Sequence, residues 1–227
     1  MGNITTTHRT RITLSAAIIF IMLAVLYFVP ADIPYKIAFP LTILTIMSPW
    51  VLPWQMCLAM LFSAAGDAAG AYGDFIPQTG LFAAAQLMLI VYFISRAIRE
   101  RLYSSSSGYS SRNGSGQFIF LFLLTAITVA ILTFATVSVS SAVQDLVTKT
   151  AVSVYAAILL TMMWTAIAQK DIMFAIAAIL FVFSDFVIGW NRFLSPIAGE
   201  RYLIMIPYYL AQLILFIRSS IRPQVYR

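Results

Sequence analysis

Between Ile12 and Val29 the chain runs eighteen residues without a charge, and apolar runs of similar length recur along it. A segment that long has few homes. In hydrocarbon every backbone N–H and C=O must be satisfied internally, which leaves helices or closed barrels as the only spanning structures. The runs match the roughly 17–25 residues a helix needs to cross a core of about 30 Å. The chain has 227 residues, 61% hydrophobic and 10% charged, with a mean hydropathy of +0.91. Soluble domains carry about 25% charged residues. The expected class is an all-α, polytopic membrane protein.

Eight runs are long enough to count: 12–29, 37–53, 54–72, 80–95, 117–135, 146–168, 172–190 and 202–217. They predict an eight-helix transmembrane bundle forming a single membrane domain over 1–227. The first run has a basic flank, Arg9 and Arg11, as a signal peptide does. No small-x-small cleavage pattern follows, so it reads as a retained helix. Pro40, Pro49 and Pro53 make the second run short or kinked. Residues 96–116 break the pattern with Arg96, Arg99, Glu100 and Arg101, then Ser104 to Ser107 and Arg112-Asn113-Gly114-Ser115-Gly116. That composition predicts a basic helix end followed by a flexible cytoplasmic linker.

An even number of spans puts both termini on one side. Ten Lys and Arg fall on that side and four (Lys36, Lys149, Arg192, Arg201) on the other. The positive-inside bias therefore predicts cytoplasmic termini, in the inner membrane if the cell is bacterial. Because the basic residues sit at span ends, the net charge of +6 requires no nucleic-acid partner. Cys57 alone makes no disulfide within the chain, and the one histidine, His8, lies in the polar tail, so neither a cysteine cage nor a buried His-ligated metal is expected. No Gly-rich phosphate loop, nucleophile elbow, HExxH or arginine-repeat sensor is present. No cofactor is expected.

Two carboxylates remain, and both lie where carboxylates are costly. Asp67 sits in Leu61-Phe62-Ser63-Ala64-Ala65-Gly66-Asp67-Ala68-Ala69-Gly70, and Asp185 follows Phe181-Val182-Phe183-Ser184. An acid at membrane depth costs about 2.5–3.5 kcal/mol on insertion scales and marks a functional site by default. Asp67 lies 13 residues beyond Trp54 and Asp185 14 beyond Asp171, each about 20 Å along its helix. The predicted topology puts both in the outer third of the membrane, level with Lys36, Thr42, Gln86, Tyr208, Tyr209 and Gln212. Two carboxylates that approach each other do not both ionise readily, which yields a proton donor beside a charged partner.

Each feature also has a plainer reading. Gly66-x-x-x-Gly70 is the spacing of close helix packing. Asp67 could cap a helix broken near the glycines, and Asp185 could pair with Arg192, which would hold it ionised. Tyr208 and Tyr209 suit an aromatic belt, and Lys36 suits an anchor reaching for the interface. Ser63 shares a face with Asp67, and Tyr208 shares one with Gln212. Ala85-Gln86-Leu87-Met88-Leu89 echoes Ala211-Gln212-Leu213-Ile214-Leu215, which is compatible with two parallel four-helix repeats.

Several of these pieces together resemble the YhhN-like integral membrane family, which includes the lysoplasmalogenases. They are Pro40-Leu41-Thr42, Phe62-Ser63-x-x-Gly66-Asp67, Gly80-x-Phe82, Phe181-x-x-Ser184-Asp185, Phe193 and Tyr208-Tyr209-x-Ala211-Gln212. The resemblance implies an eight-helix hydrolase that cleaves the vinyl-ether bond of a lysophospholipid substrate, releasing a fatty aldehyde and a glycerophospho-base. On that basis Asp67 and Asp185 would be the catalytic pair. Ser63, Gln86, Ser184, Tyr208, Tyr209 and Gln212 would orient them or a water, and Lys36 or Arg192 would meet the phosphate. Two positions depart from the family pattern: Phe39 stands where many members have Lys, and Gln86 where many have His. A proton-coupled transporter or lipid-binding protein using the same aspartates is the competing expectation. The bilayer is the one further partner expected, with the chain a monomer or homodimer.

Overall fold

The computed structural model describes residues 6–31, 33–107, 126, 130, 133, 137–139 and 141–221. Among them the secondary structure is helical, with no strand. Seven helices have continuous bounds: α1 (Thr6–Phe28), α2 (Phe39–Val51), α3 (Trp54–Ala71), α4 (Phe75–Ser107), α5 (Leu146–Ile167), α6 (Ile172–Phe193) and α7 (Glu200–Ile221). The expected span 117–135 lies almost wholly outside the described residues. Its described members 126, 130 and 133 are helical.

Five helices are long and apolar enough to cross a membrane: α1, α4, α5, α6 and α7. Their outward faces carry Ile18, Met22, Leu87, Ile94, Val154, Trp164, Phe183 and Leu210, all exposed. Buried polar residues such as Gln86, Ser184 and Gln212 point inward. Apolar groups outside and polar groups inside invert the order of a soluble protein, as a hydrocarbon surround requires. The chain is an integral membrane protein.

Two expected boundaries are corrected. The second run was expected at 37–53, but α2 has only 13 residues, about 20 Å of helix, too short to cross by itself. Pro40 starts it and Pro53 ends it, because Leu52 is driven into extended backbone before Pro53. The fourth run was expected to end at residue 95 with a linker beginning at 96, yet α4 continues to Ser107. Arg96 is the reason. It bonds Glu100 one turn on at 2.9 Å, stands 3.9 Å from Asp171, and lies 4.8 Å from the Phe174 ring centroid. Its charge is used in packing α4 against the start of α6, so it is buried rather than solvated. The remainder of the expected linker, 108–116, lies outside the described residues.

The helices close into a ring in which each packs on the next and α7 returns to α1. α7 also reaches inward to touch α2 and α3, which explains its long buried face of Met205, Tyr208, Tyr209, Gln212, Leu215 and Phe216. Phe20, Leu41, Met56, Met60, Phe93, Met163, Phe174 and Phe181 fill the interior. By contrast α3 and α6, the two helices carrying the acids, do not pack directly against each other. The space between them is the site.

Candidate functional site

Asp67 is buried because α3 and α4 approach closely. A Cβ on Gly66 would stand 2.9 Å from Phe82 of α4, so only glycine admits the ring at that distance. Asp67 retains 2% exposure. It lies beside Tyr208 of α7 and within electrostatic reach of Asp185. The Tyr208 ring is fixed edge-on by Phe82 and Phe181, at centroid distances of 6.0 and 5.4 Å.

Asp185 on α6 is gripped from a different helix. The Tyr155 hydroxyl of α5 donates to its Oδ2 at 2.6 Å. Gln86 of α4 lies beside Tyr155 and is fully buried. Behind Asp67, Gln212 Nε2 donates to Ser63 Oγ at 3.1 Å and ties α7 to α3. Tyr209 Oη donates to the Ile37 carbonyl at 2.8 Å. Around the two aspartates, Asp67 Oδ2, both amide atoms of Gln86, Ser184 Oγ and Tyr208 Oη are buried without a partner at full hydrogen-bond geometry, although Tyr208 is within reach of Asp67 and Gln86 of Tyr155. Each such atom costs about 1–3 kcal/mol if left unpaired.

Two cavities meet at Asp185. One, about 790 Å³ with its open mouth included, is apolar and lies between α4, α5 and α6. Val152, Leu159, Leu160, Val182, Phe186 and Phe193 line it. The other, about 800 Å³ on the same measure, is also largely apolar, with Ile37, Ile204 and Met205 in its wall, but it carries the charged and polar side chains of Asp67, Ser184, Glu200, Arg201 and Tyr208. Gln78, Phe82, Asp185 and Ile188 belong to both.

Asp67, Asp185, Ser184 and Tyr208 thus line one cavity. Ser63, Gln86, Tyr209 and Gln212 stand behind it as supports. The other two expected residues lie elsewhere. Lys36 Nζ donates to the carbonyls of Val29 and Ala31 at 3.1 and 2.6 Å, closing the turn between α1 and α2. Arg192 is exposed, lies 4.4 Å from the Phe75 ring centroid and borders a separate surface pocket. Its expected alternative pairing with Asp185 is not seen, since the Asp185 partner is Tyr155. Among the described residues no three His, Cys, Asp or Glu side chains converge as metal ligands would.

Sequence reasoning missed Tyr155, Glu200 and Arg201. Tyr155 is the one tyrosine in the run 146–168, a polar group in mid-span that could have been singled out as the aspartates were. Arg201 had been counted only as a topology signal.

No solved structure matches this chain. Two curated relatives match part of it. Lysoplasmalogenase TMEM86B of Sus scrofa is 32% identical over 75 residues, 33% of this chain and 33% of that protein. Lysoplasmalogenase TMEM86B of Homo sapiens is 36% identical over 74 residues, 33% of this chain and 32% of that protein. The chain therefore covers about a third of the length of each relative. The YhhN family model matches residues 11–219, nearly the whole chain and all seven helices with continuous bounds. This protein belongs to the YhhN family.

Proposed function

We propose that this protein is a membrane-embedded hydrolase that cleaves the vinyl-ether bond of lysoplasmalogen-type lysophospholipids. The observation that carries the reading is the meeting of two cavities at Asp185, one walled almost wholly by apolar side chains and the other bearing Asp67, Glu200 and Arg201. A vinyl ether joins a polar glycerol to a hydrocarbon chain. A substrate with its chain in the first cavity and its glycerol in the second brings the scissile bond to the carboxylates. The partial matches to two lysoplasmalogenases agree with this.

The chemistry needs one proton in the right place. A carboxylic acid protonates the β-carbon of the vinyl ether, and the electron pair of the double bond forms the new C–H bond. The α-carbon and ether oxygen then share the positive charge of an oxocarbenium ion. The second carboxylate stabilises that cation and takes a proton from the attacking water. The resulting hemiacetal collapses to a fatty aldehyde and the glycerol hydroxyl. Asp67 and Asp185 are the two carboxylates. Tyr155 and Tyr208 are positioned to orient them, with Gln86 in support. The full reading retains cytoplasmic termini, on the ten-to-four division of Lys and Arg.

The test is to supply lysoplasmalogen to the purified full chain in detergent and measure aldehyde. Release by the parent protein and its loss in both Asp67→Asn and Asp185→Asn is the expected result. No release, together with uptake into liposomes driven by a pH gradient, would replace the hydrolase with a proton-coupled transporter.

A further inference from the structure

The cavity that holds Asp67 also contains two opposite charges at the end where α7 begins. Glu200 and Arg201 are the first residues of that helix. Tyr208 lies seven positions beyond Arg201, about 10 Å along the axis. The two charges do not neutralise each other, since no ion pair joins them among the described residues. Each is held by something else. The Arg201 guanidinium lies 4.4 Å from the Tyr27 ring centroid and donates through Nη2 to the Tyr27 carbonyl. Its Nε is buried without a partner. Glu200 accepts from the Asn191 amide, and Asn191 Oδ1 in turn accepts from the Ile197 N–H at 2.7 Å.

Holding a cation and an anion apart in one cavity, each fixed from behind, suits a ligand that carries both charges. The geometry points to Glu200 and Arg201 as a head-group site for a phosphodiester bearing an ammonium group. A planar guanidinium presents donors that match phosphate oxygens, and Arg201 lines the cavity. The carboxylate faces the ammonium. Lys36 and Arg192 are the cations expected from sequence to take the phosphate, but neither lines this cavity. The inference rests on the proposed reading of the cavity as the lysoplasmalogen site. It adds which residues of this chain hold that head group, Arg201 the phosphate and Glu200 the ammonium.

Binding of uncleavable ligands tests this apart from turnover. The purified full chain in detergent is titrated with a 1-O-alkyl lysoglycerophosphocholine, with the matching alkylglycerol and with the alkylglycerol 3-phosphate. The parent protein should bind the phosphocholine ether at least about tenfold more tightly than the alkylglycerol, and Arg201→Gln should erase that preference while alkylglycerol binding persists. Arg201→Lys should retain part of it, because a point charge replaces the planar fork. Glu200→Gln should leave the phosphate monoester bound as before and lose the advantage of the phosphocholine. Free glycerophosphocholine should compete in the parent and not in Arg201→Gln, which separates recognition of the head group from recognition of the chain.

A phosphocholine preference unchanged in Arg201→Gln, or absent from the parent, overturns the proposal. If Arg201→Gln does not fold, unchanged preferences in both Arg201→Lys and Glu200→Gln overturn it equally. Aldehyde release from 1-alkenylglycerol and 1-alkenyl glycerophosphocholine is measured in parallel. Arg201-dependent binding without aldehyde refutes the hydrolase and leaves the head-group site standing. Equal aldehyde release from both substrates, unchanged in Arg201→Gln, does the reverse.

Discussion

The Tyr155 hydroxyl lies 2.6 Å from Asp185 Oδ2, so a side chain of α5 determines where the carboxylate on α6 points. A hydrogen bond to a charged group is worth about 1.5–3 kcal/mol. Carried into a barrier, that is about a 10- to 100-fold loss of rate. Tyr155→Phe should lower aldehyde release by that factor and displace the pH–rate profile, while the protein elutes from a sizing column as the parent does. An unchanged profile with a lowered melting temperature would reduce Tyr155 to a packing role.

Asp67→Asn and Asp185→Asn should each reduce turnover about 10²- to 10⁴-fold, the usual weight of general acid–base catalysis. If the pair acts as a unit, as proposed, the double variant should be little worse than the poorer single one. A double variant that multiplies the two losses would mean that the aspartates act separately.

Gly66→Ala should destabilise the fold. The added Cβ would stand 2.9 Å from the Phe82 ring, and overpacking of this kind costs about 1–3 kcal/mol. Phe82→Leu in the same chain should recover part of the loss in a thermal melt. The double variant is expected to hydrolyse more slowly, since Phe82 also lines both cavities.

Asp171 clamps the opposite end of the bundle. It bonds Arg218 of α7 at 2.8 Å, approaches Arg96 of α4 at 3.9 Å, and caps α6 by accepting from Met173 N at 3.2 Å. Asp171→Asn should lower stability by about 3 kcal/mol. That is the lower end of the range for breaking a buried pair, because the Arg218 side chain keeps 31% exposure. Denaturant or thermal unfolding in detergent checks it. Turnover per folded molecule should not change.

Asp145 gives a pH signature. Its carboxylate lies just ahead of α5 and accepts from Thr148 N and Thr148 Oγ1, both at 2.8 Å. Those bonds, the backbone one first, hold its pKa below the usual carboxylate value. A depressed folded-state pKa means that the cap stabilises the helix above the unfolded value and is lost as pH falls through the folded one. Parent and Asp145→Ala should therefore differ in melting temperature near neutral pH and converge in acid. Asp145→Ser should stay close to the parent near neutral pH, since serine also caps, and should keep its cap in acid, where the parent loses it.

The sequence by itself determined that the chain is helical and lies in a membrane, because hydropathy is a local property read along a single segment. It also marked Asp67 and Asp185, since an acid in an apolar run is conspicuous without knowing its neighbours. Tertiary structure decided what those acids meet. Asp67 and Asp185 are 118 positions apart on helices that do not touch, and the cavity between them exists only once α7 has inserted beside α3 and α6. The same holds for Tyr155 as the partner of Asp185, and for Arg201 rather than Lys36 or Arg192 as the cation of that cavity. It holds also for α4 running on to Ser107, where a charge read as solvated is paired across the bundle. Side-chain partners depend on which faces are brought together, and a span pattern leaves the rotation and neighbours of each helix open.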